Sequence, residues 1–329
     1  MTKTLSALAV LLLGSTSVMA ADYELKLGHA AIGAENPVHL ALEAFAEDIA
    51  ESTDGQIEVT IFGGGQMGND RELVELAQEG TIDIAVPTVS KLSAWDPAFA
   101  APEIPYVFPN RDVALSVLGG AYGDFLEPKL NDLGLTTVGW FENGFRHVTN
   151  NLHPISKPED LQGIKLRTMA VEAHIEAFGH LGANPTPMAF SELYSALQQN
   201  VVDGQENPLT NIVNNKMYEV QDYVSLTNHV YSAYIVVMNQ GAYEDMPEEL
   251  QTQLREALAR ALQTELDIID ADEARNLDVI EEAGVKVNAL SDAEVAVFRE
   301  TLGALSGRFE ELVGADAYQA LTAAVSETQ

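Results

Sequence analysis

The chain has 329 residues, no cysteine, and 17 lysines and arginines against 50 aspartates and glutamates, for a formal net charge of -33. That charge repels phosphate backbones and excludes nucleic acid as a partner class, and the missing cysteines exclude disulfides and thiolate metal sites. The length suits two domains, each with a core of its own.

Taken in chain order, the opening MTKTLSALAVLLLGSTSVMA reads as an export signal. Lys3 gives the positive end, Leu5 to Leu13 the apolar run, and Val18-Met19-Ala20 the small-x-small cleavage site, so residues 1–20 are set aside from fold reasoning. The alternative is an uncleaved anchor, for which the apolar run is shorter than the ~20 residues of a span. YELKLGHA (23–30) then reads as a strand and 37–52 as an amphipathic helix, with Asn36 as N-cap and Pro37 at its first position. IEVTIF (57–62) alternates like a strand, NDRELVELAQEG (69–80) is a helix capped by Asn69 or Asp70 and stopped by Gly80, and IDIAVP (82–87) is a strand. This alternation predicts a parallel sheet with crossover helices.

APEIPYVFPN (101–110) has three prolines and reads as a connection, followed by one helix over 111–130 and a strand at GLTTVGWF (134–141). Strands are expected at FRHVTNN (145–151), IKLRTM (164–169) and PTPM (185–188), with helices at 171–181, 190–199 and 209–216. Val220 to Met238 is strand-like in two runs broken near Asn228-His229. From Pro247 to Gly284 no glycine or proline interrupts a helical pattern, which at 1.5 Å per residue spans roughly 50 Å, longer than a small domain is wide. A strand at VKVNAL (285–290) and two helices complete the chain. No repeat or low-complexity linker is present, so two lobes imply a chain that crosses between them more than once.

The candidate sites are few. Gly63, Gly65 and Gly68 form a literal G-x-G-x-x-G between a strand and a helix, with Asp83 further on. A lone glycine fingerprint is weak evidence for a dinucleotide, and the preferred reading is a tight turn into a helix N-terminus. The seven histidines (29, 39, 147, 153, 174, 180, 229) show no metal-ligand spacing, and no G-x-S-x-G elbow is present. Arg146 and Arg167 differ from the other cations, each standing in a neutral or apolar stretch, GFRHVTN and GIKLRTM. Strand alternation puts Lys165, Arg167 and Met169 on one face, with Arg167 near the strand end, where α/β sheets bind ligands. An arginine there can hold a carboxylate by two parallel hydrogen bonds. From spacing alone, a ligand clamp and an internal ion pair both remain open. VVDGQENP offers Gln205, Glu206 and Asn207, either as ligand contacts or as a polar turn.

With these residues in view, the chain resembles the DctP-type solute-binding proteins of tripartite ATP-independent periplasmic (TRAP) transporters. The resemblance rests on GGGQMGNDRELVELAQEGTIDIAV, GFRHVTNN, LQGIKLRTM, LGANPTPMAFSELYSALQQNVVDGQENP and the long helix. It implies an α/β, two-lobed periplasmic-binding-protein-like fold, with a cleft between the lobes and the long helix spanning both. Lobe I is expected at 21–143 plus about 232–271, and lobe II at 144–231 plus about 272–329. The resemblance also implies that Arg167 holds the carboxylate of a ligand, with Arg146 and Asn207 as further contacts, Glu206 beside them and Phe190 packed on the ligand. Thr88, Lys91 and His29 are expected from the other lobe, and Trp140 and Phe145 as pocket walls. No enzyme activity, cofactor or metal is expected. The expected partners are a small organic acid, a C4-dicarboxylate or a sugar acid such as a uronate, and the permease subunits that receive it, with the chain itself a periplasmic monomer. A ligand-sensing subunit for a membrane receptor and an exported α/β enzyme are the rival readings.

Overall fold

The computed structural model describes residues 21–328, so the expected signal segment lies outside the described residues. β1 (Tyr23–His29), β2 (Ile57–Phe62) and β3 (Ile84–Val86) run parallel, joined by α1 (Pro37–Ser52) and α2 (Asp70–Gln78). Asn36 Oδ1 accepts from the Val38 N–H at 3.1 Å. Asn69 and Glu72 close a full capping box on α2, and Gly80 ends it at φ +70°.

The expected helix over 111–130 is two helices, α3 (Arg111–Leu118) and α4 (Ala121–Asn131), parted at Gly119-Gly120. Paired glycines give up helix propensity at about 1 kcal/mol each, and packing decides the break. The proline-rich connection begins as a 3-10 stretch at Pro97–Glu103, after another at Val89–Ala94. β4 (Leu135–Phe145) runs four residues past the expected strand end, and β10 (Tyr231–Asn239) pairs antiparallel with both β4 and β3. The first sheet has the order β2-β1-β3-β10-β4.

The second sheet is built from β5 (His147–Asn150), β6 (Lys165–Thr168), β7 (Asn184–Pro187), β8 (Gly204–Asn207), β9 (Tyr223–Leu226) and β11 (Lys286–Ala289), in the order β11-β9-β5-β8-β6-β7. Its helices are α5 (Glu172–His180), α6 (Phe190–Gln198) and α7 (Leu209–Asn214). The chain passes from one sheet to the other at β4 to β5, returns at β9 to β10, and crosses again through α8 (Gln240–Glu244) and α9 (Glu248–Glu282) to β11. α9 packs on α1 and β4, then α7, then β11, so one rigid helix of 35 residues touches both sheets.

Three helices rather than two close the chain: α10 (Asp292–Gly303), α11 (Ser306–Val313) and α12 (Ala315–Thr328). α12 packs on α3 and α4 beside the first sheet, whereas the expectation grouped everything after about 272 with the second lobe. One apolar core lies between α1, α9 and the first sheet, around Phe45, Phe141, Leu254 and Leu258. A larger one runs from α2, α3 and α4 through Phe99 and Tyr122 to Leu166 and Phe178. A third joins α6 and α7 to Val224 and Ile280.

Near the middle of α9, Glu265 is fully buried and accepts the Glu142 backbone N–H at 2.7 Å, with its other oxygen unpartnered among the described residues. Burial, and then the nearby Glu142 carboxylate, hold its carboxyl well above the usual range despite that hydrogen bond. The folded protein therefore keeps a proton that the unfolded chain releases above about pH 4. The associated stability is present at low pH and is lost as pH rises toward the folded pKa. Glu265→Gln preserves the acceptor and removes the titration. The variant is expected to melt above the wild type at pH 8, with the gap closing near pH 4. A variant melting below the wild type at pH 8 contradicts this assignment.

Candidate functional site

Between the two sheets lies a cavity of about 640 Å³. Ala30–Ile32 after β1, the Gly64–Gly68 turn after β2, and Thr88 and Lys91 after β3 wall it on one side. Arg146, Arg167, Met188, Phe190 and Asn207 wall it on the other, with Asn143 and Tyr234 from the crossover strands. The parallel strands thus present their carboxyl ends to the cavity, where their side chains and loops converge. The glycine run serves as the tight turn: Gly64, Gly65 and Gly68 all have positive φ, and a Cβ on Gly68 would stand 2.6 Å from Glu72 Oε2.

Arg167 sits on β6, with Leu166 turned into the core and its own side chain lining the cavity. Only 1% of it is exposed. One acceptor engages it: the Met188 carbonyl takes both Nε–H (3.2 Å) and Nη2–H (2.8 Å). Among the described residues Nη1 has no partner and no carboxylate forms an ion pair with this guanidinium. Met188 thus occupies one edge of the fork, and the end formed by Nη1 and Nη2 is left for another acceptor. Burial pushes the Arg167 pKa down to about 10, with Glu206 opposing and Arg146 reinforcing the shift. A fall of that size corresponds to about 3 kcal/mol against the charged form, a penalty that an arriving anion offsets.

Arg146 answers the open question in the opposite way. It lies where β4 passes into β5 and is bound by Glu206: Nε and Nη2 reach the carboxylate, the latter at 2.9 Å, and Nη2 also reaches the Glu206 carbonyl at 2.6 Å. Asn207 Oδ1 accepts from the same nitrogen at 3.2 Å. Burial works against both charges, but Arg146 and then His229 hold the Glu206 carboxyl far below its usual range. His229 Nε2 stands 3.2 Å from Glu206, and His174 Nε2 stands 3.2 Å from Glu103, out of line for a good hydrogen bond. Glu103 in turn accepts from Ser232 at 2.6 Å. A buried polar network therefore joins the Pro97–Glu103 stretch and β10 to α5 and β8.

Six of the ten expected residues line the cavity: Arg167, Arg146, Asn207, Phe190, Lys91 and Thr88. Four do not. Glu206 is wholly buried behind Arg146. His29 Nε2 lies 3.0 Å from His39 Nδ1 on α1, and burial, then His39, push its pKa down to about 4, so it brings no positive charge. Trp140 is in the core with α4, its indole nitrogen 3.6 Å from the position of a Cβ on Gly123. Phe145 packs edge-on to Tyr231 at 5.2 Å, because Gly144 at φ +105° turns the strand end. The sequence reading missed Asp70, Asn143, Asn211 and Tyr234 as cavity residues. Asp70 had drawn notice only as a capping residue, and the glycine turn before it was the available signal.

Comparison with known proteins follows from this geometry. Residues 27–312 match the model of the bacterial extracellular solute-binding proteins, family 7, known as DctP. The chain belongs to that family. As a DctP-type solute-binding protein of the TRAP class it binds its substrate without transforming it. The chain is 32% identical to the 2,3-diketo-L-gulonate-binding periplasmic protein YiaO of Escherichia coli, over 88% of this chain and 87% of that protein. It is 30% identical to the C4-dicarboxylate-binding periplasmic protein DctP of Rhodobacter capsulatus, over 98% and 96%. The sugar acid binding protein DctPAm of Advenella mimigardefordensis, solved with galactonate, superposes with a TM-score of 0.89 at 31% identity, covering 94% of this chain and all of that one. The DctP fold is thus shared, two lobes included.

Removing one member of a buried ion pair strands the other, at a cost of about 3–5 kcal/mol. Arg146→Met is therefore expected to lower stability by that amount in urea unfolding, while Arg167→Met, which removes a cation lacking an internal anion, leaves it unchanged or higher. Equal losses in the two variants would contradict the division of roles.

Proposed function

We propose that this protein captures a small organic acid, a C4-dicarboxylate or a sugar acid, by a salt bridge from Arg167 to the ligand carboxylate, and delivers it to the membrane permease subunits of a TRAP transporter. The observation that carries this reading is the Arg167 guanidinium, buried at the cavity wall with Nη1 unpartnered. Bidentate pairing with a carboxylate supplies the missing anion, and a charge-assisted hydrogen bond contributes about 1.5–3 kcal/mol. The names of the relatives support the class of ligand: galactonate, 2,3-diketo-L-gulonate and C4-dicarboxylates are all carboxylates.

Around that bond, Lys91 and Thr88 approach from the first-sheet side and Asn207 and Phe190 from the second. Arg146 acts mainly as a fixed support for Asn207. In this reading lobe I comprises 21–143 and about 232–271, lobe II comprises 144–231 and about 272–329 apart from the packing of α12, and they close on the solute about the β4–β5 and β9–β10 crossovers. The protein works in the periplasm, as a monomer and without a cofactor, after loss of residues 1–20.

A thermal-shift panel of organic acids is the first test, since a ligand at 100 times its Kd stabilises by about 2.7 kcal/mol. At least one acid is expected to raise the melting temperature of the wild type and to leave that of Arg167→Ala unmoved. Equal shifts in both proteins would remove the clamp. Saturating ligand is also expected to reduce the radius of gyration in small-angle scattering, and superimposable curves would count against closure.

A further inference from the structure

The carboxylate clamp leaves the rest of the solute undefined, and the cavity's own charges narrow it. Arg146 and Glu206 cancel each other. At the exposed rim, Arg71 pairs with Glu75 at 3.0 Å and Glu72 is bound to the Asn69 N–H at 2.8 Å, while Glu172 faces solvent. Inside remain Arg167 and Lys91, neither in an ion pair among the described residues, and one acid, Asp70, the first residue of α2. One ligand carboxylate balances the charges that line the cavity, and a second leaves an excess negative charge that the buried Glu103 carboxylate behind Asp70 and Lys91 adds to. The other polar walls, Thr88, Asn143, Asn207, Asn211 and Tyr234, are neutral donors and acceptors suited to hydroxyls.

We infer that the solute is a polyhydroxylated monocarboxylate, and that Asp70 selects for it by accepting hydroxyl hydrogen bonds and repelling a second carboxylate. This rests on the Arg167 clamp and adds a specificity residue to it. Asp70 lines the cavity beside the site's two unpaired cations, so hydroxyls that meet it are held between fixed charges. A dicarboxylate meets a like charge at the same place, and a like charge is how such a site rejects a near relative of its ligand. Burial pushes the Asp70 carboxyl up to about 6. Lys91, the Thr88 backbone N–H and Arg167 favour its ionised form, Glu103 opposes it, and Tyr234 also faces it. Asp70 is therefore ionised at pH 7.5 and protonated at pH 5, where the repulsion is relieved.

The test is calorimetric titration of the full chain with galactonate and galactarate, which differ in that galactarate carries a carboxylate where galactonate has a primary alcohol. At pH 7.5 galactonate is expected to bind more tightly by roughly tenfold or more. The ratio should shrink in Asp70→Asn, and in the wild type at pH 5. Equal or tighter binding of galactarate by the wild type at pH 7.5 overturns the inference, as does binding of succinate without galactonate. If those acids still lose their affinity in Arg167→Ala, the clamp stands while the selectivity falls. If none of the three binds, the selectivity falls, and the clamp is decided by Arg167→Ala against whichever acid of the thermal-shift panel stabilises the wild type. Should Asp70→Asn fail to fold, the wild-type ratio and its pH dependence decide.

Discussion

A guanidinium enclosed by protein, with no ion-pair partner among the described residues, is the constraint around which this molecule is arranged. In water an arginine side chain is fully solvated; at the cavity wall Arg167 has one carbonyl for two of its N–H groups and no partner for Nη1. Isolated buried charge is among the costliest features a fold can carry. It persists here because the second sheet pairs β6 with β7, whose end places the Met188 carbonyl beside Arg167. The bound solute then completes the electrostatics, and binding energy that would otherwise be spent forming the site is available for affinity.

The negative surface makes this local arrangement more consequential. With a net charge of -33 the chain repels anions at long range, an effect that salt screens beyond about 8–10 Å. The cavity reverses the sign at short range by setting Arg167 and Lys91 against the single nearby carboxylate of Asp70 and neutralising Arg146 on Glu206. The Arg146–Glu206 pair stands beside the crossover from β4 to β5, where a break would disturb both sheets. Its coupling through His229, and the neighbouring Ser232–Glu103–His174 contacts, brace the buried back of the site.

Arg146 and Arg167 show what sequence can and cannot carry. Both occupy neutral stretches, and both were credible clamps or ion pairs by spacing. What separated them was Glu206, sixty residues from Arg146 and placed opposite it only by the antiparallel pairing of β5 with β8. The element order was legible because caps and glycine stops are local signals, as at Asn36, Asn69 and Gly80. The break in 111–130 was not, since a glycine pair is tolerated in many helices and tertiary packing decides. Trp140 and Phe145 were misplaced because a bulged strand changes which face its residues show; β4 and β10 shift register at Ser232/Ala233 and again at Val236/Val237. Asp70 was hidden by its second role as the first residue of α2, where an acid already has a sufficient local explanation in the helix dipole.

The most direct measurement is a crystal structure of the protein with a bound organic acid. The account predicts a ligand carboxylate within hydrogen-bonding distance of Arg167 Nη1 and Nη2, with the Met188 carbonyl still on the opposite edge and Arg146 still on Glu206. A solute seated in the cavity while Arg167 Nη1 stays unpartnered, or turns to a carboxylate of the protein itself, would contradict it.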